Sequence, residues 1–128
     1  MAYYFSKTLD CGFDEALDRT IEALKEEGFG VLTEIDVKAM LKKKIGVDFR
    51  EYRILGACNP KLAHQALTLE DKIGTMLPCN VVVQDSGGGK TEIAAIDPVA
   101  SMQAVENPKL KQAAAEVRAK LKAVIARL

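Results

Sequence analysis

The side chains in this sequence best suited to nucleophilic, redox or metal chemistry are three cysteines, Cys11, Cys58 and Cys79, and a single histidine, His64. Cys58 is the leading candidate. It falls between the β-rich run "YRILGA" and Asn59-Pro60, a pair that starts helices: asparagine caps, and proline's missing N–H would have been an orphan there anyway. A helix N-terminus attracts anions, so a thiol at that point is placed to act as nucleophile, redox sensor or soft-metal ligand. Cys79 stands at the far end of the same apolar segment. If residues 60–77 form one helix, roughly 30 Å of rise separates the two thiols. A bond between them within one chain is then not expected, unless Gly74 or Pro78 breaks the helix. The bland alternative is that both are small buried hydrophobes, as free cysteines most often are. Cys11, in a turn before the first helix, reads as incidental.

Other residues join the candidate ligand-binding set by proximity. Tyr52 and Arg53 precede "ILGACNP", where they could line a pocket beside Cys58, and Asn59 and Asn80 carry amides able to orient a ligand, though Asn59 is first needed as a cap. His64 falls on the polar side of its helix with Thr68, Asp71 and Thr75, so a surface role is the expectation. No His/Cys cluster has zinc spacing, and no pair of carboxylates can be given acid and base roles. The set is therefore Tyr52, Cys58, Asn59, His64, Cys79 and Asn80, with no metal or cofactor expected.

"QDSGGGKT" (84–91) looks at first like the end of a phosphate loop. The motif needs a glycine where Gln84 stands and a helix after Thr91, whereas "EIAAID" reads as a strand. Without a helix N-terminus the converging N–H groups that hold phosphate are missing. The glycines predict a hairpin turn instead, where they supply positive φ.

The elements that must position these residues follow from periodicity. "AYYFSKTL" (2–9) alternates as a strand, and Phe13, Ala16, Leu17, Thr20, Ile21 and Leu24 mark one stripe of a helix that Gly28 ends. "FGVLTEI" is a second strand, 36–46 a short helix capped by Asp36 and stopped by Gly46, and 52–57 a third strand. In the 60–77 segment Leu62, Ala66, Leu69, Ile73 and Leu77 form the buried stripe. Ala63, Leu67 and Gly74 add a second apolar strip beside it, a width that suggests deep burial or a partner surface. "NVVVQD" and "KTEIAAID" form the hairpin. Asn107-Pro108 then starts a last helix with an apolar face of Leu110, Val117, Leu121, Val124, Ile125 and Leu128. Asn-Pro-Lys-Leu occurs twice, at 59–62 and 107–110, which reads as one capping device used twice and not as a duplication. The order is β-α-β-α-β-α-β-β-α. It predicts an α+β fold, one domain over 1–128, with two layers, a mainly antiparallel sheet and helices packed on one face.

Composition narrows the function classes. Lys+Arg and Asp+Glu number 18 each, so no global field draws the chain to polyanions or anionic membranes. Lys38, Lys42, Lys43 and Lys44 cluster on the second helix, where a solvated face outweighs a nucleic-acid patch. The first residues lack the basic and apolar regions of a secretory signal, and no run is long enough to span a membrane. An odd cysteine count suits a reducing compartment. The expectation is a soluble, cytoplasmic protein.

At "YRILGACNPKLAHQAL" and "IGTMLPCNVVV" the sequence resembles the domain of unknown function 302 family. The resemblance is carried by Tyr52, Gly56, Cys58, Asn59, Pro60, Ala63, Leu67, Gly74, Pro78, Cys79 and Asn80, with "EEGFGVLTEIDV" (26–37) and Ile96-Asp97-Pro98 in support. It implies a small bacterial or archaeal domain with a TATA-binding-protein-like α+β fold, acting as a homodimer, and it implies no activity. The leading functional expectation is a non-enzymatic, cytosolic homodimer that holds a small ligand or partner near Cys58, Asn59 and Asn80. Thiol chemistry at Cys58 is the alternative, and nucleic-acid binding through Lys42–Lys44 the weakest option.

Overall fold

A computed structural model describes residues 2–128. Five strands, β1 (Tyr4–Leu9), β2 (Gly30–Asp36), β3 (Tyr52–Cys58), β4 (Cys79–Gly87) and β5 (Lys90–Ile96), form one sheet in the order β1-β5-β4-β3-β2, with every neighbouring pair antiparallel. The helices are α1 (Phe13–Glu26), α2 (Val37–Ile45), α3 (Pro60–Leu69), a short α4 (Pro98–Ser101) and α5 (Pro108–Arg127). The α+β reading and the order of the main elements hold.

The sheet's period of two sorts the chain onto two faces. Leu9, Leu55, Ala57, Val81, Val83, Ile93 and Ala95 point under the helices and are buried. Against them pack Ala16, Ala23 and Leu24 of α1 and Leu121, Val124 and Ile125 of α5, giving one continuous core. A fully buried leucine such as Leu24 contributes roughly 2 kcal/mol. Buried Thr20 in α1 satisfies its hydroxyl by donating to the Ala16 carbonyl at 2.7 Å.

The hairpin explains the glycine run. Gly87 pairs with Lys90, and Gly88 and Gly89, both at positive φ (64° and 76°), make the two-residue turn. Thr91 is buried in β5, and its hydroxyl donates to the Cys11 carbonyl at 3.0 Å, so it is committed to the fold.

Two elements depart from expectation: the short α4, absent from the expected order, and the segment that precedes β4. The 60–77 segment is not a single helix. α3 stops at Leu69, Glu70 is extended (φ −150°, ψ 106°), and a 3-10 turn over Asp71–Met76 leads to β4. Asn107, the cap of α5, donates from Nδ2 to the Leu69 carbonyl at 3.2 Å, so the end of α3 is satisfied from outside its own sequence. The break lets β4 return beside β3, with Ala57 opposite Cys79. The 30 Å separation of Cys58 and Cys79 is thereby overturned: they sit diagonally across adjacent strands.

Candidate functional site

The return of the chain after α3 leaves a cavity of about 330 Å³ between α3, α5 and the ends of β3 and β4. Each wall has a local cause. Asn59 caps α3, its Oδ1 accepting from the Leu62 N–H at 3.2 Å, and this orients Leu62 and Ala66 inward. Gly28, at φ +85°, passes so close that an added Cβ would lie 3.1 Å from the Asn59 amide nitrogen. Only glycine suits both the backbone angle and the contact. The turn after α1 is thus held against Asn59, and Phe29 becomes part of the wall.

The opposite wall depends on Asp97. Its carboxylate caps α4, accepting from the N–H groups of Val99 (3.0 Å) and Ala100 (3.5 Å), and receives the Arg118 guanidinium at 3.2 Å. Arg118 also lies over the Phe5 ring, 5.2 Å from its centroid. This ties α4 to α5 and brings buried Pro98 and Met102 to the cavity. α5 contributes Leu110, Ala113, Ala114 and Val117. Alanines here, and Gly74 in the 3-10 turn, leave unfilled space where larger residues would close it.

Among the described lining residues none is charged, and Asn59 is the one side-chain amide. Leu32 (66 % exposed), Leu67 (44 % exposed) and Gly74 carry the lining out to solvent. Cys58 is half-buried, while Cys79 is buried. Burial, and secondarily the nearby Cys58, push the Cys79 thiol up from 9.0 to about 11. A desolvated thiol resists ionisation, so Cys79 is a neutral sulfur at ordinary pH.

The six expected site residues separate into three places. Cys58, Asn59 and Cys79 line the cavity. Tyr52 and Asn80 lie on the opposite, helix-free face of the sheet, in a shallow groove with Tyr3, Tyr4, Gln84 and Glu92. The reason is pleat: one step from Cys79 to Asn80 reverses the side chain. His64 is exposed on the far side of α3, in a polar groove with Gln65, Thr68 and Lys109. Arg53 does not reach the cavity either, being held by Glu34 (3.5 Å) and Asp36 (3.3 Å). The lysines of α2 are partly neutralised, Lys42 by Asp48 at 3.0 Å and Lys38 by Glu51 at 3.3 Å.

Ala63, Leu67 and Gly74, the second apolar strip of the sequence, all line the cavity. Sequence reasoning missed Leu32, Met102 and the alanines of α5. Leu32 sits where the β2–β3 register shifts between Val31 and Thr33, and this irregularity removes it from strict alternation. Met102 follows a helix too short to show a period.

Comparison with known proteins agrees with this architecture. The family model "Domain of unknown function DUF302" matches residues 5–128, and the chain belongs to that family. It is similar to a solved structure described as an uncharacterized conserved protein DUF302 from Bacillus stearothermophilus. The two share 34 % identity over 99 % of this chain and 98 % of the other, with a TM-score of 0.90. No curated protein matches the chain.

Proposed function

We propose that this protein is a non-enzymatic binding domain that holds a small, neutral, apolar ligand in the cavity beneath α3. The observation that carries the reading is a 330 Å³ space with uncharged walls. It falls at the lower end of the ~300–1,000 Å³ of ordinary ligand pockets. An apolar cavity of ~150 Å³ holds benzene, so this one suits a ligand of roughly ten to fifteen heavy atoms. Exposed Leu32 and Leu67 at the rim offer the ligand an apolar entry.

The test is titration with a neutral fluorescent probe within that size, such as 1-naphthylamine. A saturable, one-to-one rise in emission is expected, and Ala63→Leu, which fills the space, should weaken binding about tenfold or more, the ~1.4 kcal/mol that one or two lost methylene contacts represent. No saturable binding, or binding that ignores Ala63→Leu, would sink the reading.

The same proposal has the protein acting in the cytosol as a homodimer. Its three free thiols suit a reducing compartment. Support for self-association comes from the helix-free sheet face, where Tyr3, Tyr4 and Ile35 are exposed. Sedimentation as a monomer at micromolar concentration would remove the dimer and leave the cavity reading intact.

A further inference from the structure

The cavity is elongated, and its two ends differ. It starts at Phe29 and Leu32 on the β2 side, passes the ends of β3 and β4 at Ala57 and Cys79, and finishes at Pro98 and Met102 beyond the end of β5. In the sheet β3 and β4 separate β2 from β5, so at ~4.8 Å per strand spacing the cavity is roughly 14 Å long. Its volume of about 330 Å³ over that length leaves ~24 Å² of cross-section. That is room for one extended hydrocarbon chain and too little for two. Leu32 at the β2 end is exposed, whereas Pro98, Met102 and Leu110 at the other end are buried. The slot therefore opens towards Leu32 and is blind at Met102. We propose that its ligand is a single unbranched aliphatic chain inserted end first, and that Met102 sets the chain length. This rests on the ligand reading above and narrows it.

Met102 is the floor because of what lies beyond it. A second cavity of about 270 Å³ adjoins the first, and the two share Leu77, Pro78, Cys79 and Met102 as their partition. The first three belong to the continuous run that enters β4, so the backbone itself is part of the wall there. Met102 reaches the partition from another part of the chain. Its backbone is held on both sides: its N–H donates to the Pro98 carbonyl at 3.1 Å, and its carbonyl accepts from the Val105 N–H at 3.0 Å. Its buried, unbranched side chain is the replaceable part of the floor.

The opposite end fixes the orientation of the ligand. No lining residue is charged, and a polar head group loses hydration in an apolar slot, so the head stays at the Leu32 opening and the chain end meets Met102. Benzene in ~150 Å³ implies ~25 Å³ per heavy atom, which gives this slot a capacity of about ten to twelve carbons.

The experiment is displacement of 1-naphthylamine from the full-length protein by n-alkan-1-ols that bracket this length, each kept below its solubility limit. Affinity is expected to rise about fourfold per methylene and to level off at about ten to twelve carbons. Met102→Ala joins the slot to the second cavity, so the limit should move out by about three carbons, the reach of the side chain removed. Met102→Phe adds bulk to the floor and should bring the limit in. Circular dichroism verifies folding, and should one variant fail to fold, the other decides. A rise without a limit, a limit that ignores Met102, or branched isomers that bind as tightly as straight ones would overturn the inference and keep the ligand reading. If neither the probe nor any alkanol binds, both fall.

Discussion

The two ends of the helical layer are built from different materials. Where α1 and the second half of α5 cover the sheet, Leu24, Leu55, Val81, Val83, Ile93, Leu121 and Val124 are completely buried and interlock. Where α3, α4 and the first half of α5 meet, the smaller cluster of Ala66, Ile73, Met102, Leu110 and Ala114 borders a 330 Å³ space, which all of them but Ile73 line. Branched side chains on a pleated sheet fill volume, whereas alanine, glycine and proline on helices and turns hold backbones apart without filling the gap. The first region therefore supplies stability. The second draws on that stability to keep a cavity open.

Deleting bulk at the packed end should have the largest effect. Leu55→Ala removes a fully buried side chain from the middle of β3, and chemical denaturation should show a loss of about 3–5 kcal/mol. A loss under 1 kcal/mol would mean that this region is not tightly packed.

The next effect lies at the boundary. Cys79 belongs to the main core and also lines the cavity. Its ionisation is raised from 9.0 to about 11 by burial, with Cys58 adding to the shift. In the unfolded chain the thiol ionises first, so the stabilising difference is fully present below pH 9 and is lost as pH rises towards 11. A two-unit shift corresponds to roughly 2–3 kcal/mol. The difference in stability between wild type and Cys79→Ala should narrow by about that amount between pH 8 and pH 11. A constant difference would place the thiol in water.

The smallest effect, and the one that sharpens the contrast most, is at the open end. Ala63→Leu puts volume into existing space on a helix that leucine suits. It should leave stability unchanged or raise it by up to about 1 kcal/mol, while impairing probe binding. Destabilisation by more than that would show that the cavity is already filled by rearrangement.

Much of the architecture was legible because local physics dictated it. Asp36, Asn59 and Asn107 each cap the helix they were expected to start, through side-chain oxygens bonded to backbone N–H groups. Gly88 and Gly89 turn the hairpin that excluded a phosphate loop. The break after Leu69 was not legible, because the carbonyl it exposes is satisfied by Asn107, 38 residues away. An apolar stripe running through both α3 and the 3-10 turn looks the same whether the helix continues or bends.

By itself, then, the sequence determined the order of strands and helices, their caps and turns, the apolar width of α3 and the family the chain resembles. These depend on neighbours within a few residues, where propensity and periodicity act. Tertiary structure alone decided which candidate residues share a site. It turned Tyr52 and Asn80 to the far side of the sheet, left His64 outside and brought Cys58, Cys79 and Met102 to one cavity. Strand pairing and the bend after α3 set those distances, and both follow from contacts between segments far apart in the chain.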